Sequence, residues 1–566
     1  MATGKRIGLA AWWAACLAAA AMAGCDASPY VMPWTRYERQ TVLGVLDRMN
    51  AATEFSKSDP GPPAAPSVPR PIVLNGEIRM SLDDALRLAL AHNQDVQIAG
   101  LEPLSAEADL VRARAVYDPS VFLSNTAARQ DRPIASQLDI GTFVPGQYIE
   151  KTWAMRGGLK GLTAGGGTLQ AYQEMSYLNT NSKLIFPNPQ YTTRTTVELD
   201  QPLLKGFGDP INQASIRIAN LNAGTSIEDF RQKVMETCAK VTQAYWQVAY
   251  DLGVVRVAEE SHGMAQEVLR RETARGRGGV SNDLNISRAA SAAATREAEL
   301  VRLRNRSRTD MDQLKHLLNA ADLPADSQIT IVPTDAPRSF IVDVDRTWSV
   351  AKALSRRPEI AKARNALAIN QERVDATDRL RLPKLDTVLR YTMNGLGTGF
   401  GPSLNSEQLD GLISWSAEID FEWPIGNRAA DSDLRKRRIE YLQTVLQASQ
   451  LTNQIVQEVN AAVRAVLQGR DEMEYTLKAV TAAKKVVAGE LVRFELGELS
   501  NEELLRSQDV YAAAQRDHLQ AVLSFNLALA EMSRAQGTLV EDRGIAIVWP
   551  QGTRSELEPL GASIPR

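Results

Sequence analysis

Four histidines (His92, His262, His316 and His518) and three cysteines (Cys16, Cys25 and Cys238) are the whole stock of imidazole bases and thiols in 566 residues. A zinc site or a disulfide framework needs such ligands in pairs at short spacing, and none of these stands so. Acid–base or nucleophilic catalysis needs a convergent set of titratable groups, whereas these histidines are scattered along helical patterns without spaced partners. The sequence therefore predicts no enzyme, no metal site and no cofactor. A net charge of −3 gives no electrostatic case for a nucleic-acid partner. Cys238 falls on an apolar helical seam, where a buried, inert thiol is expected.

One cysteine stands where chemistry is plausible. Lys5 and Arg6 precede an apolar run from Ile7 to Ala23 that ends in small residues, slightly short for a spanning helix and typical of a secretory signal over residues 1–24. Ala21-Met22-Ala23 fits an A-x-A cleavage site, while Met22-Ala23-Gly24-Cys25 has the form of a bacterial lipobox with Met where Leu is usual. The second reading is favoured, which makes Cys25 a lipidation site, and Cys16 lies in the removed segment. Residues 25–80 form a tether whose stretch DPGPPAAPSVPRP (59–71) is too rich in proline for a helix or a central strand.

From Ser81 the chain repeats itself. Aligning Asp95-Val96 with Glu359-Ile360 gives an offset of 264, whereas aligning Pro202 of DQPLLKGFG with Pro424 of EWPIGN gives 222. A tandem duplication with about 42 extra residues in the first copy, between Asp95 and Pro202, accounts for both offsets. The first copy runs over 81–320, a linker over 321–345, the second copy over 346–540 and a tail over 541–566.

Each copy has a leading helix, strands, a very long helix, a break and a returning helix. ISWSAEIDFEW (413–423) puts Ile413, Trp415, Ala417, Ile419, Phe421 and Trp423 on one face and Ser414, Ser416, Glu418, Asp420 and Glu422 on the other. Val197 and Leu199 alternate in the same way against Arg194, Glu198 and Asp200, as do Trp153, Met155 and Leu159 against Arg156 and Lys160. Segments of about 10 residues with this dyad character suit a membrane barrel, lipid outside and a wet lumen inside. The charged residues on the inner face are of mixed sign and predict no simple ion preference. Ile227, Phe230, Val234, Cys238, Val241, Tyr245, Val248, Leu252 and Val255 form a heptad seam within a helix from about Ile211 to Arg275, roughly 95 Å long. A similar length is available from Arg428 to Phe494. RGRGGVSNDL (275–284) and RFELGELSNEEL (493–504) then read as two hairpin tips, about 276–283 and 496–502. Gly278 and Gly497 allow the reversal, and Ser281 or Asn282 and Ser500 or Asn501 cap the returning helices.

The signal, tandem halves, alternating strands, QPLLKGFG leading into the first long helix and G-x-x-S tips together resemble the TolC family of outer-membrane efflux proteins, over residues 81 to 540. The resemblance implies an α+β membrane protein: a homotrimeric transmembrane β-barrel in outer-membrane lipid, continued by a periplasmic α-helical coiled-coil barrel. Its tips would dock a periplasmic adaptor (membrane fusion protein) fed by an inner-membrane pump, for tripartite efflux or type I secretion. An acid six residues after the second tip glycine is here Glu503, the expected pore gate. A further acid is common three residues on, where this chain has Arg506. Pro103 interrupts the leading helix, and a kink is expected there. Asp26 after Cys25 is an inner-membrane retention signal in some bacteria, so either that rule does not operate here or Cys25 is not acylated. The alternative is a lipid-anchored periplasmic coiled-coil scaffold, which explains the helices and not the strands.

The 42-residue excess makes a specific expectation. It adds two strands, with long loops near 131–150 and 179–190 and a tight turn at TAGGGT (163–168). The first copy then offers four strands over about 119–202 and the second two over about 383–423. A trimer would close with 18 strands rather than the family's twelve, with Trp153 and Leu159 facing lipid. Otherwise, residues 151–177 form a hairpin projecting beyond a twelve-stranded barrel.

Overall fold

The computed structural model describes residues 73–74, 76–134, 147–278, 281–320, 323–324, 327–337, 344–496 and 498–545. Cys25, the signal, the tether up to residue 72 and Gly497 lie outside the described residues, while the tether's last residues form two short strands.

A three-stranded sheet, β1 (Val73–Leu74), β2 (Glu77–Met80) and β7 (Thr330–Pro333), joins the start of the first copy to the inter-copy linker, β2 lying parallel to β7. Helix α1 (Leu82–His92) starts where the Ser81 side chain accepts from the Asp84 amide, with Asp83 and Asp84 against the helix dipole. Asn93 then takes an extended backbone (ψ 122) and caps α2 (Gln94–Arg114). The second copy repeats this with α5 (Arg346–Arg356), an extended Arg357 and α6 (Pro358–Arg379). The leading helix is thus interrupted at Asn93 rather than at Pro103, which α2 runs through. Asn93 explains the break: its side chain accepts from Val96 N and donates to Leu317 O, satisfying the backbone that the interruption frees.

Six strands form the second sheet in sequence order: β3 (Ser120–Pro133), β4 (Gln147–Leu162), β5 (Thr168–Thr180), β6 (Gln190–Pro202), β8 (Lys384–Gly397) and β9 (Ile413–Glu422), every pair antiparallel. β3 and β8 stand 264 residues apart at both ends, so the first copy's excess falls between β3 and β6, where β4 and β5 lie. These two are paired along their whole length with their neighbours, which disagrees with a projecting hairpin. The turn at Thr163–Gly167 closes tightly, with Gly166 at φ +87 and its would-be Cβ 2.5 Å from Gly206 O. That contact locks the turn against the elbow into the first long helix.

The long helices are α3 (Ala214–Arg277, 64 residues) and α8 (Arg428–Glu495, 68 residues), returning as α4 (Asp283–Leu318) and α9 (Asn501–Ala535). Val234, Cys238, Val241, Tyr245 and Val248 of the expected seam are buried and share a core with α1, β2, β7 and the end of α4. Further along, burial passes to Val254 and Val257 instead of Val255, because a 3.6-residue period drifts off a strict heptad. The linker's Asp335 knots this core: its Oδ2 accepts from the Leu82 amide (2.5 Å) and the Tyr245 hydroxyl (2.8 Å). Burial, with that hydrogen bond, raises the Tyr245 hydroxyl pKa.

Candidate functional site: sheet faces and helical tips

The registers place Arg156, Lys160, Arg194, Glu198, Asp200, Glu418 and Asp420 on one face, as expected. Its charges pair across strands: Arg390 with Glu198 at 2.8 Å, Arg194 with Glu174 at 3.8 Å, and Lys384 with Asp420 at 2.7 Å. The Arg156 guanidinium lies 3.6 Å over the Tyr172 ring. The opposite face carries Val121, Leu123, Leu159, Leu169, Val197, Leu389, Tyr391, Trp415, Ile419 and Phe421, all exposed. An apolar face of this breadth left to water would be a liability; facing lipid, it is stable.

Helix α7 (Phe400–Leu409), which no sequence pattern announced, lies in the β8–β9 connection on the distal part of the apolar face. Gly395 and Gly397 admit it, since a Cβ on Gly395 would collide with Ser403 O and one on Gly397 would sit 2.6 Å from Ser403 N. Buried Glu407 accepts from the Thr195 hydroxyl and, at 3.1 Å, from Gln173 Nε2. Phe400 meets Tyr191 and Trp153 edge-on at 4.7 and 5.5 Å. Trp153 is on the expected face but is packed against Phe400; Leu159 stays exposed.

At the other end the two hairpin tips are joined. Ala265, Val268, Ala289, Ala293, Phe494, Leu504 and Leu505 from all four long helices share one core. Asn501, buried, donates to Asn285 O at 2.9 Å, and Arg288 pairs with Glu502 at 3.0 Å. Arg296 of α4 is only 6% exposed. It donates to Ser261 O of α3 and to Leu505 O, Gln508 Oε1 and Asp509 Oδ1 of α9. Neither Asn501's cross-link nor Arg296 was read from the sequence, where a lone Arg on a polar helix is indistinguishable from a solvated one.

The tip residues divide their work differently from expectation. Gly278 ends α3 at φ −82, with its nearest would-be Cβ contact at 3.5 Å, so neither conformation nor space demands glycine there. The closer approach is at Gly276, whose Cβ would lie 2.6 Å from Ile286 Cδ1, the end of a half-buried side chain that can turn aside. Asn282 caps α4 through the Asn285 amide, while Ser281 donates at 2.5 Å to buried Glu272 and ties the turn back to α3. At the second tip Ser500 is the cap, in a capping box with Glu503, whose Oε2 accepts from the Ser500 amide and hydroxyl.

The histidines form no cluster. His262 bonds Gln266 and His518 bonds Thr476, and burial lowers the His518 pKa. Among the described residues no group of His, Cys, Asp and Glu could hold a metal, and no helix is long and apolar enough to cross a membrane. Burial pushes the Cys238 thiol up to about 12, leaving it inert.

Residues 161–320 and 350–538 match the family described as outer membrane efflux protein. The chain belongs to the outer membrane efflux protein family. Its fold is similar to those of solved outer-membrane channels. The channel OprN has a TM-score of 0.61 at 14% identity, covering 81% of this chain and 90% of that one. The Campylobacter jejuni CmeC outer membrane channel has 0.60 at 13%, covering 84% and 89%. CusC, described in terms of folding and transmembrane channel formation, has 0.60 at 15%, covering 85% and 99%. No curated protein matches the sequence. As an outer membrane efflux protein the chain is a non-enzymatic transport protein of the outer membrane.

Proposed function

We propose that the chain is the exit duct of a tripartite efflux or type I secretion system, a homotrimer that passively conducts substrates from a periplasmic adaptor and inner-membrane pump to the outside. The carrying observation is one continuous scaffold. A sheet with one charged and one apolar face passes through glycine-rich elbows into helices of 64 and 68 residues whose tips are fastened together. A lipid-anchored scaffold explains those helices and leaves the apolar sheet face without a purpose.

The edges of the protomer support the trimer. In the upper helical layer α2 packs on α3, α3 on α6 and α6 on α8, so α2 and α8 are the free margins. Ile98, Leu101 and Val111 of α2 and Ile439, Leu442 and Leu446 of α8 are exposed there. Two different apolar margins on one chain make a heterologous interface, which closes into a ring when the rotation permits. Cys25, if lipidated, tethers the N-terminus to the membrane. Three copies of Glu503, exposed and with Oε2 held by Ser500, form the gate ring.

The residues from Gly278 to Asn282 and from Gly497 to Asn501 are the adaptor-docking tips in this reading. Gly497→Trp is expected to abolish export from cells while the trimer still assembles in the outer membrane. Normal export through that variant would refute docking at the tips.

A further inference from the structure

The six-stranded sheet has two free edges, β3 and β9, and their apolar side chains stand out: Val121 is 80% and Trp415 77% exposed. A row of paired residues drawn from Glu422 on β9 meets Lys384 on β8 and, with the registers extended, passes positions 204, 164, 166 and 114. Position 114 is six residues before Ser120, where β3 begins. The lower margin of the sheet therefore climbs six residues across one protomer. Strands must be staggered in this way for a sheet to close on itself. Three protomers give a shear of 18, and over 18 strands that shear corresponds to a tilt of about 35°, within the range of barrels.

Resting on the trimeric-channel reading, we propose that β9 of each copy pairs antiparallel with β3 of the next, Glu422 opposite Ser120, closing a barrel of 18 strands. In this register all ten residues of β9 find partners between Ser120 and Arg129. Phe421 meets Val121 and Ile419 meets Leu123 on the lipid side, while Glu418 meets Ser124 on the lumen side. A slip of two residues outward sets Ile419 against Asn125, Trp415 against Arg129 and Glu422 against Phe122, apolar against polar on both faces. Cross-strand apolar pairing near the lower margin thus favours this register over the outward slip, although Ile413 then stands opposite Arg129 at the upper end of β9. The occupant of each edge is a second copy of this chain. The wall would measure about 34 Å across between backbones, against about 24 Å for twelve strands.

Directly opposed residues in antiparallel strands lie within disulfide reach, and residues four positions off do not. The full chain carrying Ser124→Cys and Glu418→Cys, oxidised in outer membranes, is expected to give covalent dimers and trimers that reductant abolishes. Ser124→Cys with Glu422→Cys, four residues out of register, is expected to give none. Bridging by the second pair instead of the first, or by neither pair in an intact trimer, would overturn the seam and leave the channel reading standing. Failure of the unsubstituted chain to form any trimer would overturn both.

Discussion

Replacing Arg296 by alanine is expected to loosen the tips more than any other single change to a charged side chain. The guanidinium satisfies two backbone carbonyls, Ser261 O and Leu505 O, with Gln508 and Asp509, and so spans three helices from two hairpins. Hydrogen bonds to a charged group contribute about 1.5–3 kcal/mol each before context, and each buried acceptor left unsatisfied costs about 1–3 kcal/mol, whereas Asp509 is exposed and loses little. A loss of about 3 kcal/mol per protomer is therefore expected, with hydrogen exchange accelerated by two orders of magnitude or more around residues 289–300 and 505–516. Arg296→Lys reaches fewer of these acceptors and should recover only part. Unchanged exchange at both segments in the alanine variant would show that the helices hold together without the clamp.

The second large effect depends on pH. Asp251 of α3 is 4% exposed and faces Asp310 of α4, with Gln247 donating to it and Arg306 3.9 Å away. Arg306 lies 3.7 Å from Asp310 as well. On the α9 side, Arg516 and Asp517 face neighbouring Tyr250. Burial first, then hydrogen bonding and repulsion from Asp310, raise the Asp251 carboxyl from 3.8 to about 7. The native state therefore holds a proton that the unfolded chain has released. The resulting stability is fully present below about pH 4 and is lost as pH rises to about 7. Asp251→Asn keeps an acceptor for Gln247 and removes the charge, so it should flatten this loss and stabilise the protein at about pH 8 by a few kcal/mol per protomer. Thermal unfolding of the two proteins at about pH 5 and pH 8, either side of that titration, checks this, and equal pH dependence would contradict it.

Much of this molecule is legible because membrane walls and coiled coils impose strict periods. Alternation at 413–422 and 191–201 placed those strands and both their faces, and the three–four steps from Val234 to Val248 placed the buried side of α3. Two unequal offsets located the extra strands, since an insertion that leaves β3 and β6 intact shifts only the residues on its C-terminal side. Single positions that act through tertiary contact were not legible. The segment from Phe400 to Leu409, rich in Gly, Pro, Ser and Asn, has little apolar periodicity and becomes a helix by seating on Gly395 and Gly397. Gly276 and Gly278 look alike in RGRGGVSNDL, and the structure separates them: Gly276 lies inside α3 beside Ile286, while Gly278 ends the helix. Asp335 sits in a linker without pattern, and its role depends on Leu82 and Tyr245, 253 and 90 residues away.

The most direct measurement is single-channel recording of the purified, full-length protein in planar lipid bilayers. A passive duct with a charged inner face and fastened tips predicts discrete ohmic steps without any energy source, with larger steps for Arg296→Ala as the tips part. A trimer that inserts into the bilayer yet gives no conducting steps, in the native chain and in Arg296→Ala alike, would contradict the channel.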